Sequence, residues 1–173
     1  CADVTGVQTC ALPILERFAR GEVPALARAI SMVEGERAGF QEMLHRVLEA
    51  GPRAKRVGFT GPPGAGKSSL VASVATRHRA SDEHVGIVAV DPTSPYSGGA
   101  LLGDRIRMND LATDPGIFIR SMATRGSLGG LAATTKEVVD LMDGFGFARV
   151  LIETVGVGQT RSEEHTSELQ SRP

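Results

Sequence analysis

Apolar positions change their period along this chain, and the change divides it in two. From Val23 to Ala50 the spacing is helical: Leu26, Ile30 and Val33 share one face, and Phe40, Met43, Leu44, Val47 and Leu48 share another. Gly35 and Gly39 loosen the junction, and Gly51-Pro52 stops the second helix. This stretch reads as a small helical packing element, not as a carrier of chemistry. Beyond it the pattern shortens. Val57-Gly-Phe-Thr60 predicts a strand, and Ser69 to His78 predicts a helix offering Leu70, Val71 and Val74 to a sheet. Val85-Gly-Ile-Val-Ala-Val90 is almost continuously apolar, as a parallel strand buried on both faces should be. Ile117-Phe-Ile119 predicts a short strand, and Leu131 to Met142 a helix with Leu131, Val138, Leu141 and Met142 turned inward. Arg149-Val-Leu-Ile-Glu153 predicts the next strand. Alternating strands and helices imply right-handed βαβ units, hence an α/β fold on a parallel sheet.

The chain has 173 residues, enough for one domain with a real core. With 19 basic against 20 acidic residues its net charge is -1, which excludes a protein that coats nucleic acid through bulk charge. No apolar run approaches the roughly 20 residues of a membrane span. Glycine is frequent at 21 residues while aromatics reach only 4%, which favours sites lined by backbone over stacking surfaces.

The two ends differ from the rest. Val4 to Ile14 has neither helical nor strand periodicity, and the tail from Arg161 is polar with one aliphatic residue before Ser171. The tail resembles the translation of a common DNA-sequencing adapter, and the head that of its reverse complement. Residues 1–14 and 161–173 are therefore set aside as adapter-like, leaving a helical extension over 15–54 and a nucleotide-binding domain over 55–160. Both cysteines, Cys1 and Cys10, fall in the head. The remainder can form no disulfide, thiolate metal site or cysteine nucleophile, and with no signal peptide a cytoplasmic setting is expected.

Residues 61–68 match G-x-x-x-x-G-K-S at every fixed position, with a predicted strand before and a helix after, as a phosphate-binding loop requires. The expected nucleotide-binding set is Gly61, Pro62, Pro63, Gly64, Ala65, Gly66, Lys67 and Ser68, followed by Ser69. Its glycines let backbone N–H groups approach phosphate, and the helix start adds its positive dipole end. Lys67 would reach the β/γ-phosphates and Ser68 would offer its hydroxyl to Mg²⁺. Such a cation also needs carboxylates, found in these folds at the carboxyl ends of neighbouring strands. Asp91 and Glu153 occupy such positions; the alternative for each is a strand-terminating residue or helix cap. Asp104 is open between a metal ligand and a solvated residue, because 101–111 has a helical reading. Glu153-Thr-Val-Gly156 has the layout of a nucleotide switch, with an acid near metal and a glycine able to bond the γ-phosphate. His78 and His84 match no metal-ligand spacing and read as surface histidines. Arg105, Arg107, Arg120 and Arg125 are numerous enough for one to meet phosphate, although solvation or an ion pair is the commoner fate of each.

Four blocks together resemble the MeaB/ArgK-type P-loop GTPases, the methylmalonyl-CoA mutase-associated GTPase family. They are Phe59 to Leu70, Val88 to Met108, Ser127-Leu-Gly-Gly130 and Glu153 to Gln159. Ala25 to Glu34 also resembles that family's N-terminal helical extension, so the likeness covers essentially all of 15–160. It implies a homodimeric GTPase that binds GTP and GDP with Mg²⁺ and assists an adenosylcobalamin-dependent methylmalonyl-CoA mutase, with no nucleic-acid or membrane partner. By matching position it implies Lys67 and Ser68 on phosphate and metal, and Asp91, Asp104 and Glu153 as the metal and switch acids. Lys67, Asp104 and Glu153 are then the residues expected to carry catalysis. The family's guanine-selecting Asn-Lys-x-Asp loop is absent, since the only asparagine is Asn109, followed by Asp110. A truncated reading frame is therefore expected. The competing readings are an ATP-using kinase or ATPase, a metallochaperone-like nucleotide-binding module, and an inactive fragment.

Overall fold

The computed structural model describes residues 7–49, 51–62, 64–91, 109–123 and 128–154. Three helices come first: α1 Val7–Ala19, α2 Val23–Glu34 and α3 Phe40–Leu48. Strand β1 Lys55–Phe59, helix α4 Lys67–Arg79 and strand β2 Val85–Asp91 follow. The short helix α5 Asn109–Ala112, β3 Ile117–Ala123, α6 Leu128–Phe145 and β4 Arg149–Glu153 complete the described elements.

The four strands form one parallel sheet in the order β1-β4-β2-β3. The last of the described strands is thus inserted between the first two. Phe59 pairs with Glu153, and Ala89 pairs with the same Glu153 from the other side. β1 is mostly exposed, whereas β2, β3 and β4 bury both faces, and alternation along them divides the core. Val88, Val90, Met122 and Val150 face α2, α3 and α6, while Val85, Ile87, Ile117 and Leu151 face α4.

The helical extension is part of the main core, not an appendage. Leu26, Ile30 and Met43 are fully buried against the same cluster as Val138 and Met142 of α6. Gly144 permits the α3–α6 crossing: a Cβ there would stand 2.1 Å from Val47 Cγ1. Phe18 of α1 packs edge-on to Phe145 at 5.1 Å between ring centroids, and Phe145 stacks on Phe147 at 5.6 Å. At the other edge of this face, Arg120 of β3 donates to Glu34 at the end of α2.

Three local expectations change. Residues 7–14, which lack a clear period, lie within α1, so the boundary expected at 14/15 falls inside a helix. The anchors are Ile14 and Leu15, which pack on the core, and the buried Phe18 one turn on. The preceding residues extend that helix despite Pro13, which has no N–H to bond back to residue 9. Leu70 does not face the sheet: it is 55% exposed, because the buried stripe of α4 runs through Val71 and Ala75. His78 is half-buried, with Nδ1 2.7 Å from Glu83 Oε2; His84 is exposed as expected.

At the amino end of the sheet, several charges are paired within the chain. Arg56 donates to Asp140 and Asp143 at 2.7 Å each, and Asp143 also accepts the N–H groups of Arg53 and Ala54. Burial pushes the Asp143 carboxyl upward, but Arg56 and the two backbone donors outweigh it and hold it below the ordinary range. Burial likewise opposes the Arg56 charge, and the two aspartates more than restore it. Nearby, Arg79 donates to Asp114, and Arg149 donates to Glu83.

Candidate functional site

The site begins where β1 runs out. After Phe59 the chain turns through Gly61, Gly64 and Gly66, the last two at φ of 76° and 81°. Side chains rarely adopt this left-handed conformation. A Cβ at either position would meet nothing within 4 Å, so the restriction is one of backbone conformation and not of space. Helix α4 then starts at Lys67 on Gly66, and no side chain caps it. An uncapped helix start presents backbone N–H groups and positive dipole charge to an anion.

Lys67 folds back over this loop, with Nζ 3.0 Å from the carbonyl oxygens of both Gly61 and Pro62. The ammonium is therefore held at the loop by two neutral acceptors. A phosphate would add attraction between two opposite charges that the carbonyls do not offer, so it would compete effectively for the ammonium. Ser68, the next residue, is buried and donates from Oγ to Glu153 Oε1 at 2.7 Å. That contact joins residues 85 positions apart in sequence, made possible because β4 lies directly beside β1.

Glu153 is 9% exposed, and its Oε2 is buried without a hydrogen-bond partner among the described residues. A buried carboxylate oxygen left without a donor is costly, about 1–3 kcal/mol or more for a charged group. Placed beside a phosphate-loop hydroxyl, such an oxygen suits a divalent cation or a water bound to one. Among the described residues no group of three or more His, Cys, Asp or Glu is placed to hold a metal. A cation here must complete its shell with phosphate oxygens and water, which is how Mg²⁺ usually binds beside nucleotides. Ser68 and Glu153 fit that ion.

Asp91 terminates β2 as expected, one strand beyond β4, two residues past the Ala89–Glu153 pairing. Pro63, Asp104 and Gly156 lie outside the described residues, as do Arg105, Arg107 and Arg125. Arg120 is engaged by Glu34 and Ser31 on the α2 side of the sheet. Ser69 is exposed on α4 behind the loop. Thr154, not anticipated from the sequence, donates both its N–H, at 3.0 Å, and its hydroxyl, at 3.1 Å, to the Phe59 carbonyl. Its only sequence signal is its place directly after Glu153.

Comparison with known proteins places this geometry in a family. A sequence model of the family described as methylmalonyl Co-A mutase-associated GTPase MeaB matches residues 26–168. A relative in Pyrococcus abyssi is 49% identical over 146 residues, covering 84% of this chain and 45% of that protein. The GTPase ArgK of Escherichia coli is 38% identical over 153 residues, covering 86% of this chain and 46% of that one. The mitochondrial methylmalonic aciduria type A homolog of Mus musculus is 41% identical over 155 residues, covering 82% of this chain and 37% of that one. The crystal structure of an LAO/AO transport system kinase superposes with a TM-score of 0.69 at 27% identity, over 92% of this chain and 46% of that one. This chain thus spans less than half the length of each of these proteins. Among the described residues no helix is long and apolar enough to cross a membrane. With most of its length matched by the family model, the chain belongs to the methylmalonyl Co-A mutase-associated GTPase MeaB family.

Proposed function

We propose that this chain carries the phosphate- and metal-binding half of a Mg²⁺-dependent GTPase that assists an adenosylcobalamin-dependent methylmalonyl-CoA mutase. The observation that supports this most directly is the Ser68–Glu153 hydrogen bond beside the Lys67 loop, with Glu153 Oε2 left over. It joins a phosphate-loop hydroxyl to an acid at a strand end, the pairing a nucleotide-bound cation needs.

In this reading Lys67 leaves the carbonyls of Gly61 and Pro62 and neutralises the β/γ-phosphates. The loop from Gly61 to Ala65 and the start of α4 surround them with backbone N–H groups. Bound Mg²⁺ supplies charge neutralisation across the transferring phosphate oxygens. Ser68 and Glu153 hold it, with Asp91 and Asp104 as further acids and Gly156 as the backbone contact to the γ-phosphate. Guanine selection would fall to an Asn-Lys-x-Asp loop of the kind the family resemblance implies. A homodimer in the cytoplasm, assisting the mutase, completes the proposal; the mutase is the partner in the family's description, and the dimer rests on the resemblance.

The test uses the full-length protein. Calorimetric titration with GTP, GDP and ATP, with and without Mg²⁺, should give Mg²⁺-dependent preference for the guanine nucleotides. Equal affinity for ATP would move the protein to the ATP-using class. Hydrolysis should then respond to an adenosylcobalamin-loaded mutase, and indifference to it would remove the partner from the proposal.

A further inference from the structure

We infer that Thr154 is a positioning residue for Glu153, holding that carboxylate in register with Ser68 across two strands. The inference rests on the metal reading of the site given above. Its basis is one carbonyl that accepts twice. Phe59 O takes the Thr154 N–H at 3.0 Å and the Thr154 hydroxyl at 3.1 Å.

The first bond continues the β1–β4 ladder by one step past the Phe59–Glu153 pair. Backbone pairing alone would supply it with any residue but proline. The second bond is specific to a hydroxyl. Threonine hydroxyls usually satisfy themselves on nearby backbone, within about four residues. Here the bond spans 95 positions and ends on the last residue of β1, two before Gly61. The side chain therefore clamps the peptide that follows Glu153 to the root of the phosphate loop.

The consequence falls on Glu153. Its backbone is fixed on the amino side by pairing to β1 and β2, and on the carboxyl side by Thr154. Its side chain then reaches Ser68 at 2.7 Å while Oε2 stays buried, unpartnered among the described residues. Unfixed, the strand end would let Glu153 swing Oε2 toward solvent, and the acid would lose its place beside the hydroxyl. Catalytic and metal ligands need holding within about half an ångström, which supporting hydrogen bonds to neighbouring backbone supply. Thr154 contributes that support through its two bonds to the Phe59 carbonyl.

The experiment measures release of fluorescently labelled GDP from the full-length protein, once across a Mg²⁺ titration and once in excess EDTA. Thr154→Val keeps the branched shape and removes the hydroxyl. Losing one supporting hydrogen bond should raise the Mg²⁺ concentration that half-maximally slows GDP release about three- to tenfold. GDP affinity in EDTA should remain within about twofold, and Thr154→Ser should restore the wild-type Mg²⁺ response. If the valine variant does not fold, Thr154→Ala, which lacks the same hydroxyl, must show the same selective shift. A wild-type Mg²⁺ response in the valine or alanine variant overturns the inference. So does an equal loss of affinity in EDTA, which would make Thr154 a support of the whole loop. Wild-type protein whose GDP release ignores Mg²⁺ overturns the metal reading itself, and is recognised before any variant is made.

Discussion

At the amino end of the sheet, Arg56 is held by two aspartates, and Asp143 uses its remaining capacity on two backbone N–H groups. At the carboxyl end, Lys67 rests on two neutral carbonyls, and Glu153 keeps one buried oxygen without a partner among the described residues. Among the described residues the first end meets its charge with opposite charge and backbone donors, whereas the second leaves a buried carboxylate oxygen without a donor. A buried charge that is paired and hydrogen-bonded serves the fold; one left with a provisional partner is available to a ligand. The difference also explains why the site can be held rigidly. The paired end fixes the entry of β1 and the end of α6, so the strand leading to the phosphate loop starts from a fixed point.

Breaking the paired end should have the largest effect on stability and little on nucleotide contacts. Asp143→Ala in the full-length protein strands Arg56 and two backbone donors, and should cost about 3 kcal/mol or more in urea unfolding. Asp143→Asn should change the acid limb specifically. The folded carboxyl is held below its ordinary value, so its stabilisation is present above the unfolded value and lost as pH falls through the folded one. The wild-type melting temperature should therefore fall as pH drops below about 4, and the asparagine variant should show a shallower fall over that range.

Breaking the open end should do the reverse. Lys67→Ala removes the ammonium that sits at the loop and should weaken GTP binding about 100-fold, equivalent to about 3 kcal/mol. Its melting temperature without nucleotide should stay within about 2 °C of wild type, since the lost bonds go to backbone carbonyls that solvent can satisfy. A large loss of stability with intact binding would erase the contrast between the two ends.

Smaller effects grade the comparison. Glu34→Gln loosens the half-buried pair with Arg120, on the α2 side of β3, and should cost about 1 kcal/mol by denaturant titration. Glu42→Ala removes an exposed pair with Arg46 one turn along α3, and should change stability by less than about 0.5 kcal/mol.

The sequence by itself determined the kinds of element and the phosphate loop. Helical spacing at Leu26, Ile30 and Val33 and the unbroken apolar run at Val85–Val90 each record burial that local geometry forces into a period. The loop needs glycine at left-handed positions and a lysine at its end, and those demands are written in consecutive residues. Tertiary structure decided what depends on distant neighbours. Strand order is one such case, because nothing near residue 150 records that β4 will separate β1 from β2. The outward turn of Leu70 is another, set by the buried stripe of α4 that runs through Val71 and Ala75. The Arg56 clamp spans 84 to 87 positions, Ser68–Glu153 spans 85 and Thr154–Phe59 spans 95. Hydrogen bonds over such separations leave no period in the sequence, since they depend on distant elements meeting and not on any residue's local preference.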